Sequence, residues 1–559
     1  MPSAPAGRIR PSFAEAALVG LMLVLALRHQ DYPFKGEDWL EALSGVLTRF
    51  GWFDGSFSFT DGLAPKHFFT SSYGPLYYLY DVTRTLLFKW RLLPFHETTF
   101  RYVTSITAVL LVVASAWALR RHLTPLQRAA YLVLVGCSPA YVFYYRHYCV
   151  YPLMMVLHSA CTAAFLAFLE RGRLSSLASF YGAAFLAVTT FATSVNQVAA
   201  CLVCALWLQR NRGSEATLET PHRPSAIRLL LGSPARISMA AAFVGALAAL
   251  TAFNYVHYRK LMGSSGLYQG ALAKSFAKAT ADRVEPLRNL VVLVDETWHS
   301  LGPEFLVLAA LAAANVVRTR RLSPLSTIFA LSFGFAVAEC VWLVPGQQLA
   351  YAWRSIVYTF PLLVVVADNA GALLARSSRG GLLLAATAAL AAAHQGFQPI
   401  RDMVSVLAPG IATSPYKALG YVFRTRGLDD AARHCAAFDV PLDGPRLFYL
   451  NRVEDGVLDK PGGPSRLCML VLAKPATPRM LRAIHHSRLV ERRWVLVDGR
   501  VALDVYLNAA TAQQWGPAER IDASEYSRRF TEELHNLETL FASPRWAAAP
   551  SAAWNDRFY

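Results

Sequence analysis

Charge is what this sequence has least of. Only 16% of its 559 residues are Asp, Glu, Lys or Arg, against about a quarter in ordinary soluble domains, while 54% are hydrophobic. So apolar a chain is not an ordinary soluble enzyme; lipid is part of its solvent. Acid is scarcer than base, with 37 Asp and Glu against 54 Lys and Arg and a formal net charge of +17. The bases sit in short clusters between apolar runs, which is the pattern of cytoplasmic loops and not of a nucleic-acid footprint. Nucleic acid is therefore set aside as a partner. The sequence also lacks a Walker loop, an H-E-x-x-H pair, a dinucleotide fingerprint and a well-spaced zinc set. No cofactor follows from it, no metal ligand is assigned, and a role for a divalent metal stays open.

Cysteine is sparse and mostly placed in apolar runs. Cys137, Cys161, Cys201, Cys204 and Cys340 read as small core residues, and the C-x-x-C of Cys201 and Cys204 has no second pair or nearby His to make it a metal or redox motif. Cys435 and Cys468 fall in the polar last third, where an oxidising compartment would let them pair if the fold brings them together.

What the sequence has in abundance is long hydrophobic runs. A bilayer core about 30 Å thick needs about 20 apolar helical residues, because no backbone amide can go unpaired in lipid. Spans are expected near 13–30, 98–119, 125–145, 149–169, 175–192, 195–209, 235–256, 302–317, 323–344, 352–374 and 380–397. The first follows Arg8 and Arg10 but has no small-residue cleavage site, so it reads as an uncleaved helix and not as a signal peptide. With the amino terminus in the cytoplasm, every even-numbered span ends in a basic cluster. The clusters are Arg120-Arg121, Arg171 to Arg173, Arg210 to Arg212, Arg318 to Arg321 and Arg376 to Arg379. Five loops thus agree on one orientation, which places the loops 31–97 and 257–301 and everything after about residue 398 on the outer side. From there Pro, Gly and charge return. Short β-like runs at Arg446–Leu450, Cys468–Ala473, Trp494–Val497 and Ala502–Leu507 precede an amphipathic stretch, Ser524–Phe541. The expected architecture is a mainly α, polytopic membrane helical bundle of about eleven transmembrane helices. Juxtamembrane helices would lie in its outer loops, with 1–398 as the membrane module and 399–559 as a small soluble α/β domain. No internal repeat is visible, which weighs against a secondary transporter.

Chemistry concentrates in the first outer loop. Glu37-Asp38 places two adjacent carboxylates just beyond the first span, where partial desolvation raises basicity and a positioned carboxylate can deprotonate an attacking hydroxyl. Acids are also common at loop starts, so the pair alone decides little. Asp54 follows in Gly51-Trp-Phe-Asp54-Gly55. Then Tyr73-Gly-Pro-Leu-Tyr77-Tyr-Leu-Tyr80 forms an aromatic amphipathic segment suited to the interface, and Asp81 and Arg84 make it a poor spanning helix.

The order of these features, a first span, an acidic pair, an amphipathic loop closing in Y-G-P-L-Y-Y-L and a span with Arg101 near its start, resembles the GT-C glycosyltransferases. Within them it is most similar to the branch of protein O-mannosyltransferases and aminoarabinose transferases, families 39 and 83. The resemblance covers about the first 400 residues. It implies a glycosyltransferase that takes sugar from a polyprenyl-phosphate donor, with inversion, and passes it to a lipid, glycan or protein acceptor on the outer face.

The same resemblance implies the site residues. Either Glu37 or Asp38 stands for the family acid: counting from Ala42 favours the first and residue chemistry the second, since the family order is Asp-Glu. Asp54, Tyr73 and Tyr77 belong to the acceptor loop. Arg146 and His147 remain at the outer edge before Val150-Tyr151-Pro152, where Tyr151 stands in place of a second family acid. The turn Thr190 to Gln197 has only neutral donors where relatives often place a Lys. Arg354, entering a helix that contains Pro361, is the leading candidate for the lipid phosphate because a guanidinium fork matches phosphate oxygens. Arg259 and Lys260 follow a membrane helix directly and are weaker candidates. Two rivals stay open: a transporter or flippase using His158, Asn196 and Gln197 at depth, and a non-catalytic scaffold of the same fold. Composition points to a bacterial inner membrane, with the carboxy-terminal domain periplasmic.

Overall fold

Proline opens many of the helices, for its fixed φ suits the first helical position and its missing N–H costs nothing there. A computed structural model describes residues 13–28, 74–89, 92–93, 97–145, 150–214, 232–261, 286–342, 352–397, 415–428, 435–439, 467–473, 475–497 and 499–526. Within them run α1 (Phe13–Leu27), α2 (Gly74–Lys89), α3 (Glu97–Ala118), α4 (Pro125–Cys137), α5 (Pro139–Tyr144), α6 (Val150–Arg171) and α7 (Leu174–Thr190). A 3-10 turn at Ala192–Ser194 leads into α8 (Val195–Ser214), followed by α9 (Pro234–Leu261), α10 (Pro286–Ser300), α11 (Pro303–Thr319), α12 (Pro324–Trp342), α13 (Ala352–Leu374) and α14 (Gly380–Phe397).

All eleven expected spans are helical within a few residues of their predicted limits, and the two long loops 31–97 and 257–301 supply the additional helices α2 and α10. One span differs. The run 125–145 is broken at Ser138, whose extended backbone (φ −67°, ψ 139°) ends α4 before Pro139 starts α5. Four of the helices are by themselves long and apolar enough to cross a membrane, and five shorter apolar helices accompany them. The fold is that of a multi-pass membrane protein.

Two layers of polar contacts mark the two ends of the bundle. At one end lie the turns carrying the basic clusters: His122 meets Glu170 at 4.0 Å, and Arg236 donates to the Gly172 carbonyl at 3.3 Å. Just inside this end Asp368 of α13 accepts from Gln127 of α4 at 2.6 Å and from Ser323 and Ser326 around the start of α12. Asn369 meets Asn315 of α11 at 3.2 Å, and Arg128 pairs with Glu15 of α1 at 2.6 Å. Between the two ends, Leu, Val, Ala and Phe from α1, α3, α4, α6, α7, α8, α11, α12, α13 and α14 form one continuous apolar core. α13 runs through its middle, packed on α4, α11 and α12.

Beyond the bundle, α15 (Pro415–Thr425), β1 (Ala436–Asp439), β2 (Met469–Leu472), α16 (Pro478–His486), β3 (Glu491–Val497), β4 (Arg500–Leu507), α17 (Ala509–Trp515) and β5 (Arg520–Asp522) form an α/β unit. Its sheet has the order β1-β2-β4-β3-β5. β1 and β2 are parallel, β2 to β4 and β4 to β3 antiparallel, and β5 parallel to β3. The β3–β4 hairpin is tight, with Val497 paired to Arg500 and Gly499 at φ 75° where only glycine is comfortable. Three of the four β-like runs are these strands. Arg446–Leu450 lies outside the described residues, as does all but the start of 524–541. Cys435 and Cys468 are disulfide-bonded with 5.2 Å between their Cα atoms, so the pairing that the sequence left open is made. This unit docks on the bundle through α3: Phe100 lies in its apolar core with Tyr416, Val422 and Phe423, and Val103 packs against that core. The docked end is the start of α3, opposite Arg120-Arg121.

Candidate active site

At the end of the bundle opposite the basic turns, polar side chains gather where α6, the α7–α8 turn, the end of α12 and the first turns of α13 meet. α6 begins at Val150, so Tyr151 and His158 lie seven residues, two helical turns, apart on one face. Both meet the same turn. Tyr151, 5% exposed, packs its ring on Phe191 with centroids 6.0 Å apart. His158, 3% exposed, has Nε2 2.8 Å from the Ser194 hydroxyl. One turn further along α6, Thr162 accepts from Gln197 at 2.7 Å. On the other side of α8, Asn196 donates to the Glu339 carboxylate of α12 at 2.6 Å. α13 closes the group: Thr359 meets the Tyr141 hydroxyl at 2.9 Å, and the Phe360 ring lies 6.1 Å from that of His158.

The α7–α8 turn is recessed, because it contacts α6 both at its first turn and about 10 Å along its axis, at 1.5 Å per residue. The side chains around it are hydroxyls, amides and an imidazole, with Glu339 as the carboxylate that bonds to them among the described residues. Nearby, Glu304 at the start of α11 is fully buried and accepts from Ser138 at 3.0 Å, while its Oε2 has no partner among the described residues. Where α2 meets α3, Arg84 is buried with Nη1 3.2 Å from the Thr104 hydroxyl and its guanidinium 4.3 Å from the Phe100 ring. Arg101 beside it is wholly buried. This end therefore holds two buried guanidinium groups where α2, α3 and the carboxy-terminal unit adjoin.

Of the residues singled out by sequence, Tyr151 sits in this group, and Tyr77 is buried in the bundle core against Tyr80, rings 5.7 Å apart. Arg354 enters on the first turn of α13 and Arg259 and Lys260 end α9, with side chains outside the description. Glu37, Asp38, Asp54, Tyr73, Arg146 and His147 lie outside the described residues. Among the described residues no cluster of three His, Cys, Asp or Glu is placed to hold a metal ion. Sequence reasoning passed over Glu339, Glu304 and Arg84 as site residues. The available signal was a lone acid within an apolar run, which is costly in a membrane and for that reason worth singling out.

No family model matches the sequence, and no curated protein matches it either. Among solved structures, ArnT from Cupriavidus metallidurans bound to undecaprenyl phosphate aligns over 90% of this chain and 98% of its own, with a TM-score of 0.52 at 14% identity. The chain shares the fold of this ArnT. The apo state of ArnT aligns over the same shares at 14% identity with a TM-score of 0.36. Agreement over nearly the full length of both chains includes the carboxy-terminal unit as well as the bundle, whereas the sequence resemblance to the ArnT branch had covered only the membrane part.

Proposed function

We propose that the protein is a membrane glycosyltransferase that takes a sugar from a polyprenyl-phosphate carrier and transfers it, with inversion, to an acceptor on the outer face of a bacterial inner membrane. The observation that carries this reading is the shared fold with an ArnT bound to undecaprenyl phosphate across 90% of the chain. In support, the outer loop bearing Glu37 and Asp38 is followed by α2, which is built into the same end of the bundle as the polar group around His158 and Glu339.

In this mechanism the donor enters laterally from the bilayer. Arg354, on the first turn of α13, binds the carrier phosphate, with Arg146, His147, Arg259 and Lys260 as further contacts. Glu37 or Asp38 orients the acceptor hydroxyl and takes its proton as the oxygen attacks the anomeric carbon. The bond to phosphate breaks and the charge leaves with the lipid. Where the acceptor is itself a phosphate, the acid positions it and takes no proton. Asp54 and Tyr73 flank the acceptor. Residues 399–559 form an outer domain that helps present it, the amino terminus stays cytoplasmic, and the acceptor is a lipid, glycan or protein.

A reconstitution experiment tests the reading. Purified protein in vesicles is given a radiolabelled undecaprenyl-phosphate sugar on one side, together with membrane extract. The account predicts a new labelled product that retains the sugar and releases undecaprenyl phosphate. Labelled lipid that crosses the bilayer without any new glycosidic bond would instead establish the flippase.

A further inference from the structure

Many hydroxyl groups on the helices of this protein bond back to a carbonyl in the preceding turn. Thr83, Thr104, Thr297, Thr319, Thr387 and Ser115 all do so, at 2.6 to 3.0 Å. Three hydroxyls near the recessed α7–α8 turn do not. Ser159 of α6, Thr190 at the end of α7 and Thr193 in the 3-10 turn have buried oxygens with no partner among the described residues, although the carbonyl of Leu186, four residues before Thr190, bonds to Thr189. Two further atoms of the same group are also buried and without a partner, His158 Nδ1 and Gln197 Oε1. Their other polar ends are fixed, His158 by Ser194 and Gln197 by Thr162. Five buried polar atoms, on α6, the end of α7, the 3-10 turn and the first turn of α8, are thus left with hydrogen-bonding capacity unused among the described residues. Buried groups in this state are destabilising unless something occupies them.

The chemistry of the unfilled set is specific. It offers hydroxyls that donate and accept, an amide oxygen that accepts and one imidazole nitrogen, with no Lys, Arg, Asp or Glu among them. Glu339, the acid beside Asn196, is engaged by that amide on the other side of α8. Among the described residues the five and the side chains bonded to them carry no formal charge, and the partnerless Oε2 of Glu304 lies apart from them with Ser138, between α4 and α11. A ring of neutral hydroxyls matches this set, with Phe360, Phe191 and Tyr151 supplying the flat apolar faces against which sugar C–H groups pack. We propose that the polar network of His158, Ser159, Thr190, Thr193 and Gln197 is a recognition subsite for an uncharged, hydroxyl-rich sugar. This proposal rests on the glycosyltransferase reading above, and assigns its donor to the neutral sugars and not to a cationic amino sugar.

Binding tests this separately from transfer. Purified protein in nanodiscs is titrated with undecaprenyl phosphate bearing mannose, with the same lipid bearing aminoarabinose, and with bare undecaprenyl phosphate. The expected result is that the mannose lipid binds about tenfold or more tightly than the bare lipid, roughly the return on one or two well-made hydrogen bonds, while the aminoarabinose lipid gains nothing. Gln197→Leu abolishes the mannose preference and leaves the bare lipid unchanged. Ser159→Ala, which removes one oxygen and little packing, reduces the preference about threefold and serves where the Gln197 variant does not fold. Equal binding of the mannose and bare lipids to wild type overturns the proposal, as does preference for the amino sugar. So does a Ser159→Ala protein whose only change is greater thermal stability, since water or packing alone then accounts for the network. A mannose preference without any transfer would leave the subsite standing and remove the enzyme assignment instead.

Discussion

Asp368 carries an unusual share of the structure for one side chain. It accepts from Gln127, Ser323 and Ser326 at the basic-turn end of the bundle, tying α4 and α12 to α13. Replacing it with Ala strands three donors, two of them buried, and the expected cost is about 3 kcal/mol, read as a lower unfolding temperature of the detergent-purified protein. His122, in the turn after α3, is held below its ordinary value of 6.5 mainly because burial penalises the charged ring, with Glu170 partly offsetting this. Its folded value being the depressed one, the corresponding stability is complete above pH 6.5 and is lost as pH falls through the lower, folded value. A thermal-unfolding series against pH should therefore decline on the acid side of 6.5, and less steeply in His122→Asn. At this scale the sequence was only partly legible. His158, Asn196 and Gln197 stood out as polar residues at depth. Asp368, Glu304 and Glu339 did not, because each is a single acid whose partners come from helices far along the chain.

At the scale of elements, close approach decides more than propensity. A Cβ on Gly371 of α13 would lie 2.4 Å from the Gln127 Cα of α4. Backbone cannot yield as a flexible side chain can, so Gly371→Ala should force the helices apart and cost about 1–3 kcal/mol, measured by thermal unfolding beside Gly245→Ala, where the added carbon meets nothing within 4 Å. The Cys435–Cys468 disulfide joins the start of β1 to that of β2. Cys435→Ser should cost about 2–4 kcal/mol, and reduction of the wild-type protein should produce the same loss. The membrane helices were legible because a long apolar run has no other solution in lipid. The break at Ser138 was not, since Pro139 reads equally as a residue inside an apolar run and as the first position of a new helix. β1 and β5, four and three residues long, are too short for alternation to register, and their pairing depends on strands distant in sequence.

Across the whole molecule, the polarity of the bundle organises function. One end gathers the basic turns and the Asp368 lock; the other gathers the α7–α8 recess, Glu304, Glu339, the buried Arg84 and Arg101, and the docked carboxy-terminal unit. Phe100 links that unit to the bundle beside the helix that follows the acid-bearing loop, a contact between residues more than 300 positions apart and so invisible to any local pattern. The fold class was legible from hydrophobic periodicity and charge placement. The site was legible only as a region, since neutral hydrogen-bonding groups carry no sequence signature until packing shows which of them lack partners. The most direct measurement of the central claim is transfer of labelled sugar from undecaprenyl phosphate by wild type and by the Glu37→Gln/Asp38→Asn double variant, with both shown to be folded. The account predicts transfer by the wild type and a loss of at least about a hundredfold in the variant, the scale of general-base catalysis. Equal transfer by the two would contradict it.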